Sequence, residues 1–381
     1  MKKKFLSLAL ALSMLMCTVP AYADVAEDVE AGEAMTHEEL VEKALAESGT
    51  FVVYGNTSRI TTAAEDFGSQ YNIPFESNNL KDQEIFTKRR NETGSNAADM
   101  VMIQDGAQLT DAIDEGLVIN FVPASVKDVL DENEREPALV HQFINKLFIY
   151  NNKGDSVPAI RNVWELTDPA MKGNVIFKNP EGEKVNMNFL VMCTKPEWAD
   201  RLAEAYKSWS GKEIDLGDYK NAGYKWVAEF LDNVTFGNSD TTIAEEVSQE
   251  TAAGKIGLFV LSKLRSSSVL TDNLTVAEYD AQEKGYAVEP FSGFMYPMYT
   301  MVNTMATRPY TAMLFIEYLM SEKGFEPWGI NIGAYSPNPN IRVNEGDLPI
   351  DVWKTVLVME DSDYILDSFE VEDFILQHCQ Y

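Results

Sequence analysis

Apolar residues follow two rhythms along this chain. Short runs that are apolar through most of their length recur at Phe51–Tyr54, Asp99–Ile103, Leu147–Tyr150, Asn174–Phe177, Lys255–Leu261 and Tyr299–Asn303. Gly, Asn or Asp bounds most of them, so each predicts a buried strand. Asn72–Glu76 predicts one more. Between these runs the spacing lengthens to that of a helix, as in Ile60, Ala63, Ala64 and Phe67, or Trp226 and Phe230. Helices are predicted over 37–47, 83–93, 196–209, 223–231, 241–253 and 309–321, the first from a Thr36/Glu39 capping box and the third with Pro196 in its first turn. Strands alternating with helices predict an α/β fold, a largely parallel sheet with helices on both faces. The pattern restarts after Asn151-Asn152, which predicts two lobes with two crossover segments.

The stretch Gly49–Phe67 holds strand, polar turn and helix together. It places unpaired N–H groups at the open end of a sheet, where open α/β sheets bind ligands and helix N-termini attract anions. Tyr54, Asn56, Thr57, Ser58 and Arg59 are the first candidate ligand contacts. The alternative is that Thr57 or Ser58 caps the helix and Arg59 is solvated. Further candidates lie at other strand ends and helix starts: Gln104, Asp105, Ser239, Asp240, Arg265, Phe291, Ser292 and Tyr296.

The N-terminus changes the picture. Lys2–Lys4, the apolar run Phe5–Met16 and Ala21-Tyr22-Ala23 have the form of a signal peptide cut after Ala23. That run is too short to span a bilayer, and no later stretch is long enough. Export to a periplasm or cell surface is expected. Cys17 raises the alternative of lipidation, although Met16 precedes it where a small residue is needed. Residues 24–35 are acidic and lack aromatics, which predicts a flexible leader. At 45% hydrophobic and 11% aromatic residues, the 381-residue chain has the composition of an ordered globular protein. Its formal charge of −29 disfavours nucleic acid and anionic lipid as partners. Beyond the leader only Cys193 and Cys379 remain, and both are expected reduced.

The ordered series VVYGNTSR, AADMVMIQDG, DEGLVINFVP, FIYNN, NVWELTDPAMKGNVIFKNP, ETAAGKIGLFV, EPFSGF and AMLFIEYLMSEKGFEPW resembles the solute-binding proteins of ABC importers. The resemblance is to the cluster that includes ferric-iron-binding proteins, and it spans residue 50 to about 330. It implies a type II periplasmic-binding fold. Two α/β lobes would be linked by two hinge strands, with a small-molecule ligand held in the cleft between them. The expected layout is 24–48 as leader and short helix, 49–150 plus 291–381 as the first lobe, and 151–290 as the second. The region 338–381 is expected to add helices to the first lobe. The implied partner is a membrane permease, the implied state a monomer, with no cofactor and no catalysis.

A secreted hydrolase is the distant alternative. No GxSxG, HExxH, P-loop or CxxC pattern is present, and the histidines are only His37, His141 and His378. The resemblance also implies what ferric iron would need: adjacent tyrosines from the second lobe, with carboxylate or imidazole from the first. The chain has no Tyr-Tyr pair. A polyamine or thiamine binder is a further alternative, with Asp105, Asp240, Phe291 and Tyr296 as acids and aromatic walls. Arg59, Lys263 and Arg265 instead suit phosphate or carboxylate, so a small organic anion, phosphorylated or not, is the favoured ligand.

Overall fold

The computed structural model describes residues 25–91, 98–153, 160–265, 272–277, 279–280, 285–286, 288–329, 333–344 and 347–379. The signal sequence, its cleavage site and Cys17 lie outside these residues, as does the side chain of Arg265.

Strand β1 (Phe51–Gly55) lies parallel to β2 (Phe75–Asn79) on one side and β3 (Met100–Ile103) on the other. Helices α3 (Arg59–Tyr71) and α4 (Asp82–Asn91) connect them, following α1 (Val25–Gly32) and α2 (His37–Ala46). Helix α5 (Gly106–Asp114), β4 (Val118–Ile119) and the short α6 (Ala124–Lys127) and α7 (Glu132–Arg135) lead to β5 (Leu139–Asn151). The second lobe continues with β6 (Val175–Lys178), α8 (Lys184–Thr194), α9 (Pro196–Ser210), α10 (Ala222–Asn233), β7 (Val234–Gly237), α11 (Asp240–Val247) and β8 (Ile256–Val260). Small strands β9 (Leu274–Val276), β10 (Tyr279–Asp280) and β11 (Gly285–Tyr286) precede β12 (Gly293–Asn303). The chain ends with α12 (Pro309–Leu319), α13 (Glu322–Phe325), α14 (Ile350–Val356), β13 (Val358–Met359), α15 (Ser362–Leu366) and α16 (Phe369–His378).

The main sheet runs β2-β1-β3-β12-β5-β8-β6-β7. Parallel strands form each wing, and the antiparallel pair β12 and β5 joins the wings, as the two predicted crossovers require. Both crossovers are longer than their apolar runs suggest. Polar residues Gln142, Asn145 and Lys146 interrupt β5, yet its pairing with β12 continues through them. The second strand falls at 75–79 because Asn72 ends α3 in the left-handed conformation (φ 54°) and so belongs to a helix terminus.

Two expectations are corrected. Residues 24–35 are not a flexible leader: 25–32 form a helix whose Val25, Val29 and Gly32 are buried, and this helix packs on α12. Tyr310 donates to Asp28 at 2.7 Å, and Gly32 lies close against the end of the Met313 side chain. Nor does the C-terminal region stay on the first lobe. Trp353 of α14 does donate to Tyr335 at 2.8 Å, within the core shared by the wings. Strand β13 then pairs with the start of β12, and α16 packs on α8 and α10. Val371, Ile375 and Cys379 join the second-lobe core. Cys379 and Cys193 are both buried and free. Among the described residues no helix is long and apolar enough to cross a membrane.

Candidate functional site

The C-terminal end of β1 opens into Asn56, Thr57 and Ser58, with Arg59 as the first residue of α3. Thr57 Oγ1 accepts from Arg59 N at 3.3 Å. Ser58, at the N-cap, makes no capping bond and is exposed. The next N–H groups, those of Ile60 and Thr61, meet the carbonyls of Thr57 and Ser58 at 3.2 Å, so backbone bonds rather than a side-chain cap close this turn. The Arg59 side chain is half-buried, and no carboxylate pairs with its guanidinium among the described residues. Burial lowers its pKa, but a guanidinium stays charged.

Beside it, the buried Asp82 carboxylate ties three segments together. It accepts from Asn56 Nδ2 at 2.7 Å, Gln104 N at 3.1 Å and Asp105 N at 3.0 Å. Asp105 is itself consumed as the cap of α5, accepting from Ala107 N, Gln108 N and Gln108 Nε2. Next to Asp105, Glu360 from the C-terminal tail accepts from Gly106 N at 3.1 Å and from Asn188 Nδ2 of α8 at 3.2 Å, so one carboxyl group touches both lobes. Burial, and Asp105 next, raise the Asp82 carboxyl to about 7 and that of Glu360 to about 8.

The second lobe contributes Asp240 at the first position of α11. Its Oδ1 accepts from Val260 N at 3.2 Å and its Oδ2 from Lys178 at 3.0 Å. Lys146, fully buried on β5, lies 3.4 Å from Asp240 and 2.6 Å from Glu183, and also donates to Asn186 at 3.0 Å. Lys178 meets Glu183 at 2.8 Å. Two lysines and two carboxylates thus neutralise one another. Burial alone would raise the Glu183 carboxyl, but Lys146 and Lys178 outweigh it and hold it well below its ordinary value. Gln104 Nε2 reaches Glu183 at 3.4 Å, linking the two sides of the cleft.

These elements enclose a cavity of about 250 Å³, at the small end for ligand pockets. Its walls are Asn56, Thr57, Arg59 and Gln104 from the first lobe and Asp240, Val260, Ser262 and Lys263 from the second. Gln142, Ile144, Asn145, Tyr296 and Met298 of the crossover strands form its floor, with Trp328, Gly333 and Ala334 beside them. Asn56 and Gln104 also border a wider outer cleft of about 930 Å³.

Six candidate residues therefore line one cavity: Asn56, Thr57, Arg59, Gln104, Asp240 and Tyr296. Others are placed elsewhere. Tyr54 is buried in the shared core and accepts from Lys88 at 2.5 Å. Ser239 caps α11 through Thr242 N. Phe291 sits among Phe189, Trp198 and Trp226 in the second-lobe core. Ser292 is buried in the backbone ladder at the start of β12. Asp105 borders only the outer cleft.

Sequence reasoning missed Gln142, Asn145 and Trp328. The signal was available for the first two: an amide is out of place inside an otherwise apolar buried strand. Gln142 Oε1, Asn145 Nδ2, Trp328 Nε1 and Asn56 Oδ1 are buried and have no partner among the described residues. An unpaired buried polar group costs about 1–3 kcal/mol, so their clustering around one cavity marks it as a place for a polar molecule.

Among the described residues no three His, Cys, Asp or Glu side chains are arranged to hold a metal. The cavity phenol, Tyr296, is single. Burial, then Glu183 and Asp240, push its pKa well above the ordinary value, against the phenolate form. His141 is buried elsewhere, packed between Phe325 and Trp328, with its pKa pushed down to about 3 by burial.

No protein-family model and no curated protein matches the chain. Solved structures do. Iron-bound HitA from Pseudomonas aeruginosa superposes with a TM-score of 0.63 at 13% identity, covering 87% of this chain and 100% of that one. A Trichodesmium protein (IdiA, FutA) in complex with iron and citrate gives 0.62 at 15%, covering 87% and 99%. The substrate-binding protein of an ABC transporter from Agrobacterium tumefaciens gives 0.61 at 15%, covering 86% and 94%. At such identities the likeness is one of fold, and the fold is that of the two-lobed periplasmic substrate-binding proteins of ABC transporters.

Proposed function

We propose that this chain is the solute-binding component of an ABC importer and captures a small organic anion, phosphorylated or not, between its lobes. The observation that carries this reading is Arg59. It lines the cavity at a helix N-terminus without a carboxylate partner among the described residues. The acids nearby are already committed: Asp240 to Lys178 and Lys146, Asp82 to three N–H donors. A polyamine would need such carboxylates free, and ferric iron would need several anionic oxygens. In this reading the exported protein loses its first 23 residues, acts as a monomer, binds without turnover and delivers its ligand to a membrane permease. Native mass spectrometry of protein purified without refolding tests the proposal. The expected adduct is a small anion, and added ferric citrate should give no phenolate-to-iron charge-transfer band. A polyamine adduct or a tight coloured ferric complex overturns it.

A further inference from the structure

We infer that the ligand carries, besides its anionic group, a hydroxyl- or amide-bearing part, and that Gln142 and Asn145 of the crossover strand with Trp328 select for it. This inference rests on the anion reading above. The three residues have exposures of 0%, 2% and 1%, and all line the cavity that Arg59 lines. Each has a polar end without a partner among the described residues. The other bond of Gln142 goes to the Met298 sulfur at 2.9 Å, a weak acceptor.

Buried amides that serve the fold behave differently. Asn151 donates to the carbonyls of Val247 and Gln249, and Asn233 to those of Leu166 and Asp168. Gln142 and Asn145 make no such side-chain bonds to the backbone among the described residues. They occupy a strand whose neighbours Phe143, Ile144 and Leu147 are apolar, where Met or Leu would fill the same space without burying a polar atom. What the amides offer is an acceptor (Gln142 Oε1) and a donor (Asn145 Nδ2), with the indole N–H a second donor. Hydroxyl and amide groups both give and accept, and so complement such a set. An alkyl carboxylate or alkyl phosphate would satisfy Arg59 and leave the amides unpaired. Sites built to hydrogen-bond a hydroxyl reject the analogue that lacks it. Asp240 does not turn this part of the ligand into a cation, because Lys146 and Lys178 already neutralise it.

Matched anions that differ only in hydroxyls test the inference by calorimetry on the mature protein stripped of co-purified ligand. The pairs are glycerate and propionate, gluconate and hexanoate, and glucose 6-phosphate and hexyl phosphate. At least one hydroxylated member is expected to bind tenfold or more tightly than its match. Gln142→Met and Asn145→Leu, made separately, should bring that ratio to within about twofold. Arg59→Ala should weaken both members of the pair, by about thirty- to a thousandfold. Gln142→Met should also raise the melting temperature of the ligand-free protein, a readout that needs no ligand. Equal or tighter binding of the apolar members, with dependence on Arg59 kept, overturns this inference and leaves the anion reading standing. So does a preference that survives both amide variants, or a lower melting temperature in Gln142→Met. Binding that Arg59→Ala leaves unchanged, or no binding by any of the anions, overturns the anion reading and this inference with it.

Discussion

Replacing Glu360 by Gln should flatten the pH dependence of stability. Glu360 and Asp82 sit near Asp105 where the tail meets both lobes, and their carboxyls are raised from 4.5 to about 8 and from 3.8 to about 7. The principal cause is burial, with Asp105 second and the backbone and amide donors opposing. Groups raised in the folded state bind protons that the unfolded chain releases at lower pH. Their contribution is therefore fully present below about pH 4 and is lost as pH rises through about 7–8. Each proton gives a slope of at most about 1.4 kcal/mol per pH unit. For Asp82 alone the whole window amounts to roughly 4 kcal/mol. The chain's net charge of −29 adds a repulsion that also grows with pH, so a wild-type slope alone decides nothing. The difference between wild type and Glu360→Gln cancels that background. The amide keeps an acceptor for Gly106 N and cannot ionise. Urea unfolding at pH 5, 6, 7 and 8 should show wild-type stability falling, and the fall in the variant should be smaller by about 2–3 kcal/mol over that range. Slopes agreeing within about 0.3 kcal/mol per pH unit would mean that Glu360 is ionised in the folded protein, and the reasoning would fail.

Lys146→Met should destabilise the protein by about 3–5 kcal/mol, because Glu183 and Asp240 would share Lys178 alone in a buried setting. The double variant Lys146→Met/Glu183→Gln restores charge balance and should recover more than half of the loss in denaturant melts; a single-variant loss below about 1 kcal/mol refutes the network. Ile375→Ala should cost about 2–4 kcal/mol if α16 is part of the second-lobe core, as its full burial indicates. A loss below about 1 kcal/mol in the same assay would show that the tail does not hold that lobe together.

Where the sequence could be read, each element had one buried face or was wholly apolar and short. β1, β3, β6 and β8 are buried runs ended by turn residues, and α3, α9 and α10 each carry an apolar stripe. The failures have separate physical causes. In 25–32 the acidic composition masked Val25, Val29 and Gly32, which share a face at spacings of four and three. Helix α8 is buried from Val185 to Thr194, so it shows no polar face and no period. β5 looked too short because Gln142, Asn145 and Lys146 broke its apolar run, and β12 because Pro297 sits in its middle. The C-terminal helix could not be assigned to a lobe because its apolar face fits any core. Only its contacts with α8 and α10 say which.

The site was half legible for a related reason. Strand ends and helix starts are where this fold places its ligands, and they are also where helices need caps. Asp105 and Ser239 answer the second need, Arg59 and Asn56 line the cavity instead, and all four look alike in sequence. Charge is equally ambiguous until partners are known. A chain with 60 acidic and 31 basic side chains would seem hostile to an anion, yet screening confines surface repulsion to about 8 Å at physiological salt. Inside the cavity only the local set counts. Asp240 and Glu183 are cancelled by Lys146 and Lys178. No carboxylate among the described residues cancels the Arg59 guanidinium, and partial burial strengthens its pull on a negative group. On the reading proposed above, the fold supplies the cleft, and the sign of the charge left unpaired in it decides what can be held there.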